Sequence, residues 1–348
     1  AALCVLAGAC SGEEAENICD KMAFGFDGWV ENTLSMNIFR YDALLKTNAE
    51  KYKTAILDDI DKTYGYMLDN GATSFWETIK GEADFHLAGS LCHGWSALPI
   101  YYYRILGACE KKEKPLSDAF AIRNIPSRAD YAASVSAYIE KESARAEKYR
   151  NEIVVTAWYI GRSFSTNKDY GCGLCYEITG EDGRVLSYSG KETKAFLASG
   201  YVSHRNKVIT VQLGFSYEYD TRKRNLEPKA AVEVGGFGKE LIVRPNKKTV
   251  LGEIRKASLI DADKKLYDLG RECSGFLSVK FKAESGEKII VAFGEHIADG
   301  CVRGYIDGRD FTVELIGNGE FVEFTGAFRR LGCRYLQIVG GIDRKSVV

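Results

Sequence analysis

No run of apolar residues in this chain approaches the ~20 positions that a membrane-spanning helix needs, so no span is expected. Neither sign of charge is in excess. Lys and Arg number 47 against 48 Asp and Glu, a net charge of −1, which argues against a nucleic-acid binder with its basic stripe. Nowhere do His, Cys, Asp and Glu gather with the spacing of a metal site, and glycine-rich pieces such as "VGGFGK" lack the strand–loop–helix setting of a phosphate loop. No metal or cofactor is expected. Ten cysteines follow no framework spacing, in a chain too long to need disulfide staples. They read as mostly buried free thiols in a reducing compartment, which points to the cytoplasm. "CGLC", Cys172 to Cys175, has no second pair, so a strand-and-turn pair is favoured over half a zinc site or a redox pair. Proline is scarce, at 5 residues against 35 glycines. The opening "AALCVLAGACSG" has the apolar core and cysteine of a lipoprotein signal but neither Met nor a positive leading region. It reads as an apolar helix whose beginning, and with it the native N-terminus, is missing.

What is present divides by periodicity. At 348 residues, the length suggests two or three domains. Residues 1–109 read as helices. "SGEEAENICDKMAFG" offers a Ser cap, an acidic first turn and a closing Gly25. Leu34, Ile38, Tyr41, Leu44 and Leu45 share one helical face, as do Tyr52, Ile56, Ile60 and Met67, with a stop at Asn70-Gly71. "GSLCHGWSALPIYYYRILGA" reads as a further helix kinked at Pro99. Residues 110–152 have a linker's composition followed by one exposed helix. From about 153 the period becomes two. "KVITVQLGFSYEYDT" alternates like a half-buried strand, and hairpins are expected around Ser285-Gly286 and Asn318-Gly319. Strands without intervening helices predict two β-sandwich or jelly-roll units, 153–256 and 257–341.

The chemistry gathers in "DNGATSFWETIKGEADFHLAGSLCHGW", residues 69–95, which places Glu77 beside Trp76 and puts His86 and His93 shortly after. Burial against an indole disfavours ionisation, which suits an acid or base, and aromatic faces stack on sugar C–H faces. Glycoside hydrolysis typically uses two carboxyl groups, and Glu77 can be one of them. Taken alone, Glu77 reads first as an ordinary acidic loop residue. Trp29 could line a pocket or pack in the core, and Glu31 is a weaker neighbour. His86 and His204 read as structural or solvent-facing, His296 as a strand-end residue favouring packing over a sandwich-rim contact, and Glu82 and Asp84 as a solvated loop able to hold sugar hydroxyls.

"NGATSFWE" with "GSLCHGWSALPIYYYRILGA" resembles the later half of the six-hairpin (α/α)6 barrel of bacterial α-L-rhamnosidases, glycoside hydrolase family 78. The matching positions are Gly71, Ala72, Thr73, Trp76 and Glu77, then Ser90 and His93, with Ser74 and Cys92 departing from the usual Thr and Asn. The resemblance implies that Glu77 is the general base of an inverting hydrolysis and that His93 contacts the sugar. Trp76 and Trp29 are candidates to line the same pocket. "HRNKVITVQLGFSYEYDTRK", "LYDLGRECSGFLSVKFKAESGEKIIVAFGEHIADG" and "FTGAFRRLGCRYLQI" resemble the family's amino-terminal jelly roll and following β-sandwich. The implied substrate is a terminal α-L-rhamnoside of a glycan or glycoside.

In that family the β domains precede the barrel, whereas here the order is reversed. Nothing resembling the acid-bearing Asp-x-Pro-Gln-Arg-x-Glu-Arg segment occurs in the chain. The expectation is a seam between two neighbouring family members, or else a circular permutation, inactive by this mechanism. The tail over 342–348 ends in "DRKSVV", as one frame of a sequencing adapter encodes, and is read as non-native. Half a barrel leaves apolar helix faces uncovered, so self-association is expected. The alternative is a non-catalytic carbohydrate-binding β-sandwich protein.

Overall fold

The computed structural model of the protein describes residues 1–25, 28–30, 32–108, 155, 173–202, 207–210, 214–223, 227–235, 252–326 and 328–339. The expected linker helix, Glu31, Cys172, His204 and the 342–348 tail lie outside the described residues. Among the described residues the chain is helical first and strand-rich afterwards, and no helix is long and apolar enough to cross a membrane.

The longer helices of the first part are α1 (Ala2–Ala7), α2 (Gly12–Phe24), α3 (Asn37–Asp69) and α4 (Pro99–Ile105). Ser11 precedes α2 with extended backbone, Glu13 and Glu14 occupy its first turn, and Gly25 ends it at φ 93°. Negative charge at that end complements the helix dipole. The long α3 is two helices joined at Asn48, whose φ and ψ of −159° and 94° are not helical. The Asn48 side chain accepts the Lys51 N–H at 3.1 Å and so caps the second segment. Tyr52, Ile56, Ile60, Tyr64 and Met67 lie on one face of it and are buried against Cys19, Tyr41, Leu44 and Tyr102. This core uses tyrosines because their polar tips find partners. Tyr52 and Tyr102 donate to Asp20 and Asp42 at 2.8 and 2.7 Å, and Tyr64 to the Ser96 carbonyl at 2.7 Å.

Pro99 starts a helix rather than kinking one. Residues before it spend their backbone groups elsewhere: His93 N–H donates to Phe75 at 2.7 Å, and Ser90 carbonyl accepts from Glu77 at 2.8 Å. With the preceding segment so engaged, proline takes the first helical position, where its missing N–H is not needed.

The strand-rich part centres on a six-stranded sheet. Its strands are β1 (Glu218–Asp220), β2 (Ser258–Asp261), β3 (Leu266–Gly275), β5 (Lys288–Gly294), β6 (Thr312–Ile316) and β8 (Leu331–Val339). They lie in the order β1-β6-β5-β8-β3-β2, all antiparallel except β1 with β6. Between them in sequence, β4 (Ser278–Lys282) and β7 (Phe321–Thr325) form a separate two-stranded ribbon. Phe281 and Phe324 from the ribbon share a core with Ile289, Val291, Val313 and Leu315 from the sheet.

The two expected hairpins are creases instead. β4 pairs with β7, and β5 with β6, so residues 278–294 and 312–325 run beside each other and bend together. At the bend the turns hydrogen-bond to one another: Gly286 N–H to Gly317 O at 3.0 Å, Gly317 N–H to Glu287 O at 2.8 Å and Gly319 N–H to Ala283 O at 3.0 Å. Gly286 and Gly319 take φ of 90° and 89°, which glycine tolerates, but that freedom serves a fold in the sheet rather than a reversal of the chain. "KVITVQLGFSYEYDT" also departs from a single strand. Val208–Thr210 pairs with Gly214–Phe215, and Glu218–Asp220 then joins the sheet edge as β1.

Candidate functional site

The site begins where α3 stops. Gly71, at φ 77°, turns the chain away from the helix, and residues 75–77 then run beside 90–93. That pairing brings the Glu77 Oε1 to 3.7 Å from His93 Nδ1, an ion-pair distance whenever the imidazole carries its second proton. Ser90 N–H donates to Glu77 Oε2 at 3.3 Å. Both side chains of the pair are partly exposed. Trp76 is buried, edge-on to Tyr66 with ring centroids 6.3 Å apart. Gly81 sits so close to that indole that a Cβ there would approach it to 2.9 Å. Glu77 and His93 are thus brought together by local pairing, while Trp76 is turned to Tyr66 and Gly81. Trp29, 40% exposed, lies outside the cavity described below.

Sequence reading missed two carboxyl groups that the strand-rich part brings to this turn. Glu295 follows the end of β5, and its carboxylate accepts Ser90 Oγ–H at 2.8 Å and the Leu91 N–H. Ser90 therefore links Glu77 to Glu295. Burial pushes the Glu295 carboxyl up, against the opposing pull of its hydrogen bonds from Ser90, Leu91 and Cys92. Glu272, on β3, is anchored through its N–H to Thr73 Oγ1 at 3.1 Å. Burial, and then the charge of Glu295, pushes its carboxyl up to about 8. The only local signal for Glu295 was a carboxylate at the end of the apolar stretch "KIIVAFG"; the partner it meets lies 205 positions away.

A cavity of ≈ 240 Å³ lies between the two parts, lined by Thr73, Trp76 and Glu82 from one and by Glu272, Glu295 and His296 from the other. Glu77 and His93 do not line it. Asp84 caps its own turn, accepting Phe85 N–H at 2.9 Å, and His86 sits in that turn at φ 60°. Among the described residues no group of three or more His, Cys, Asp or Glu is placed to hold a metal ion. The arrangement offers an indole, several carboxyl groups and two imidazoles within one turn and its neighbours, a set suited to hydroxylated ligands and to proton transfer.

The strand-rich region carries a recognisable domain. Residues 258–347 match the family model of the bacterial α-L-rhamnosidase concanavalin-like domain. Three solved structures are similar to parts of the chain. The GH78 family rhamnosidase of Bacillus sp. GL1 is 26% identical over 24% of this chain and 8% of that one, with a TM-score of 0.19. The α-L-rhamnosidase of Aspergillus terreus is 21% identical over 50% of this chain and 22% of that one, with a TM-score of 0.32. The α-L-rhamnosidase of Dictyoglumus thermophilum is 18% identical over 52% of this chain and 23% of that one, with a TM-score of 0.34. The chain thus spans less than a quarter of each of these proteins. No curated protein matches it.

Proposed function

We propose that this protein derives from glycoside hydrolases of the α-L-rhamnosidase type, with Glu77 as the base that activates water in an inverting attack on a terminal α-L-rhamnoside. In this reading the helical part is the later portion of a six-hairpin barrel, and the strands form jelly-roll and β-sandwich units. His93 holds the sugar beside Glu77, and Trp76, buried against Tyr66, supports the turn that carries them. The observation that carries it is the Glu77–His93 pair, 3.7 Å apart on two paired segments whose residues match the family's motif. Because the family's acid segment has no counterpart here, glycosides with ordinary leaving groups are expected to stay intact.

An activated leaving group does not need that acid. The test is therefore hydrolysis of 2,4-dinitrophenyl α-L-rhamnoside by the full chain and by Glu77→Gln. Loss of a positioned base lowers turnover by about 10²–10⁴-fold. A drop of that size with binding retained supports the reading; equal turnover by the two proteins rejects it.

A second reading, a carbohydrate-binding protein without catalysis, rests on a separate cleft of ≈ 310 Å³ in the strand-rich part, lined by Tyr201, Tyr219, Phe324, Asn318 and Glu323. It predicts sugar affinity that Asn318→Ala weakens and Glu77→Gln leaves alone, measured by calorimetry.

A further inference from the structure

Cys273 on β3 and Cys333 on β8 stand directly opposite each other in the antiparallel pairing of the two strands. The glycosidase reading gives neither thiol a task. Opposed residues of such a pair project from the same face, with both their Cα and their Cβ atoms about 4.5–5.5 Å apart. A disulfide asks for Cα atoms about 4.4–6.8 Å apart and Cβ atoms about 3.5–4.5 Å apart. The two side chains are therefore a closing movement of about 1 Å from the geometry of a bond.

The strand pairing leaves room for that movement. Immediately beyond the cysteines the register slips, since Cys333 faces Cys273 but Tyr335 faces Asp268. Residues 269–272 of β3 thus bulge out opposite Arg334, and Gly270 among them takes a φ of 78°. A bulge interrupts the ladder and lets its strand bend. The two thiols also differ in access. Cys333 is buried in the core shared by sheet and ribbon, whereas Cys273 is partly exposed, its Sγ–H donating to the Arg271 carbonyl at 3.4 Å. Burial, and then the charge of Glu272, pushes the Cys333 thiol up to about 12. Cys333 stays protonated, so an oxidant arriving from water meets Cys273 first.

We propose that Cys273 and Cys333 form a reversible disulfide site whose oxidant is a hydroperoxide. With hydrogen peroxide, the Cys273 thiolate attacks the O–O bond, becomes a sulfenic acid and releases hydroxide, which takes up the proton the thiol gave up and leaves as water. The Cys333 sulfur then attacks the sulfenic sulfur. An S–S bond forms, the S–O bond breaks, and the hydroxyl leaves with the Cys333 proton as a second water. The two thiols lose two electrons and the peroxide gains them. The neutral product suffers no burial penalty, while re-reduction must release a thiolate into the core, so monothiols reverse the bond slowly. The site lies one residue from Glu272, whose N–H donates to Thr73 Oγ1, and so stands at the join between the two parts.

The test exposes the folded full chain to increasing hydrogen peroxide, alkylates the remaining thiols and maps the unreduced digest by mass spectrometry. The expected result is a peptide pair joined through Cys273 and Cys333, with both thiols lost together and both restored by dithiothreitol. In Cys333→Ala the joined pair is absent, and dimedone traps Cys273 as a sulfenic acid at least tenfold more than in the wild type at the same peroxide concentration. The proposal is overturned if both cysteines are still alkylated when other thiols have been oxidised, if Cys273 goes on to a sulfinic acid while Cys333 remains a thiol, or if Cys273 is joined to Cys92 instead. The wild-type map alone decides this should the variant fail to fold. None of these outcomes depends on rhamnoside hydrolysis, so the site stands or falls apart from Glu77.

Discussion

At the scale of single residues, Glu272 has the most to report because its carboxyl sits so far from the ordinary carboxylate range. In the unfolded chain it titrates near the usual value of about 4.3. In the fold, burial and the Glu295 charge raise it to about 8. Between those two pH values the folded protein retains a proton that the unfolded chain has released. Its contribution to stability is therefore complete below pH ~4.3 and lost as pH rises through ~8. Glu272→Gln cannot ionise and should abolish this decline. Urea midpoints of variant and wild type are expected to coincide near pH ~4 and to separate by pH ~8, with the variant more stable; parallel pH profiles would contradict the assignment. Glu272 also marks the limit of sequence reading. The nearness of Glu77 to His93 was legible because both stand close together in the chain and in one motif, whereas Trp76 turns away to Tyr66. Glu272 and Glu295 reach the turn through contacts with Thr73 and Ser90, across about 200 positions, and no local pattern carries such a contact.

Among secondary elements, those fixed by spacing were the readable ones. The face Tyr52, Ile56, Ile60 and Met67 gave the second half of α3, and the break at Asn48 fell between the two expected helices. Dipeptides containing glycine were ambiguous for a definite reason. Asn318-Gly319 and Ser285-Gly286 announce positive φ, but positive φ serves a crease as well as a hairpin. Which one forms depends on whether β4 takes β5 or β7 as its neighbour; with β7 chosen, Phe281 and Phe324 share the core with the sheet. The crease makes its own demand at Gly317. A Cβ there would lie 2.6 Å from both Ala283 Cβ and Ala283 O, so backbone must move. Gly317→Ala is expected to cost about 1–3 kcal/mol. Gly332→Ala, with open space around it, should stay within about 0.5 kcal/mol. Chemical denaturation of the two variants separates these cases, and equal midpoints would argue against the crease.

For the molecule as a whole, the contact between its parts is polar and concentrated. Glu295 accepts from Ser90 and Leu91, Arg303 donates to the Leu87 carbonyl, and Glu272 N–H donates to Thr73. Removing the Glu295 acceptor leaves shielded donors behind, each costing about 1–3 kcal/mol. Glu295→Ala should therefore speed amide exchange at Leu91 by about tenfold or more, while Tyr52 and Ile56 in the helical core keep their rates. Unaltered exchange at Leu91 would mean the parts are held by something else. The paired bend has a mechanical consequence for the cleft of Tyr219 and Phe324. Tyr219 stands on β1 of the sheet, Phe324 on β7 of the ribbon, and Asn318 lies at the fold between them. Both chain segments cross that fold as continuous peptide, so the two layers are prevented from shearing past each other and keep only the freedom of a book opening on its spine. The rings of Tyr219 and Phe324 already touch, centroids 4.7 Å apart, so any wider gape of the cleft has to be taken up at the fold around Gly317 and Gly319.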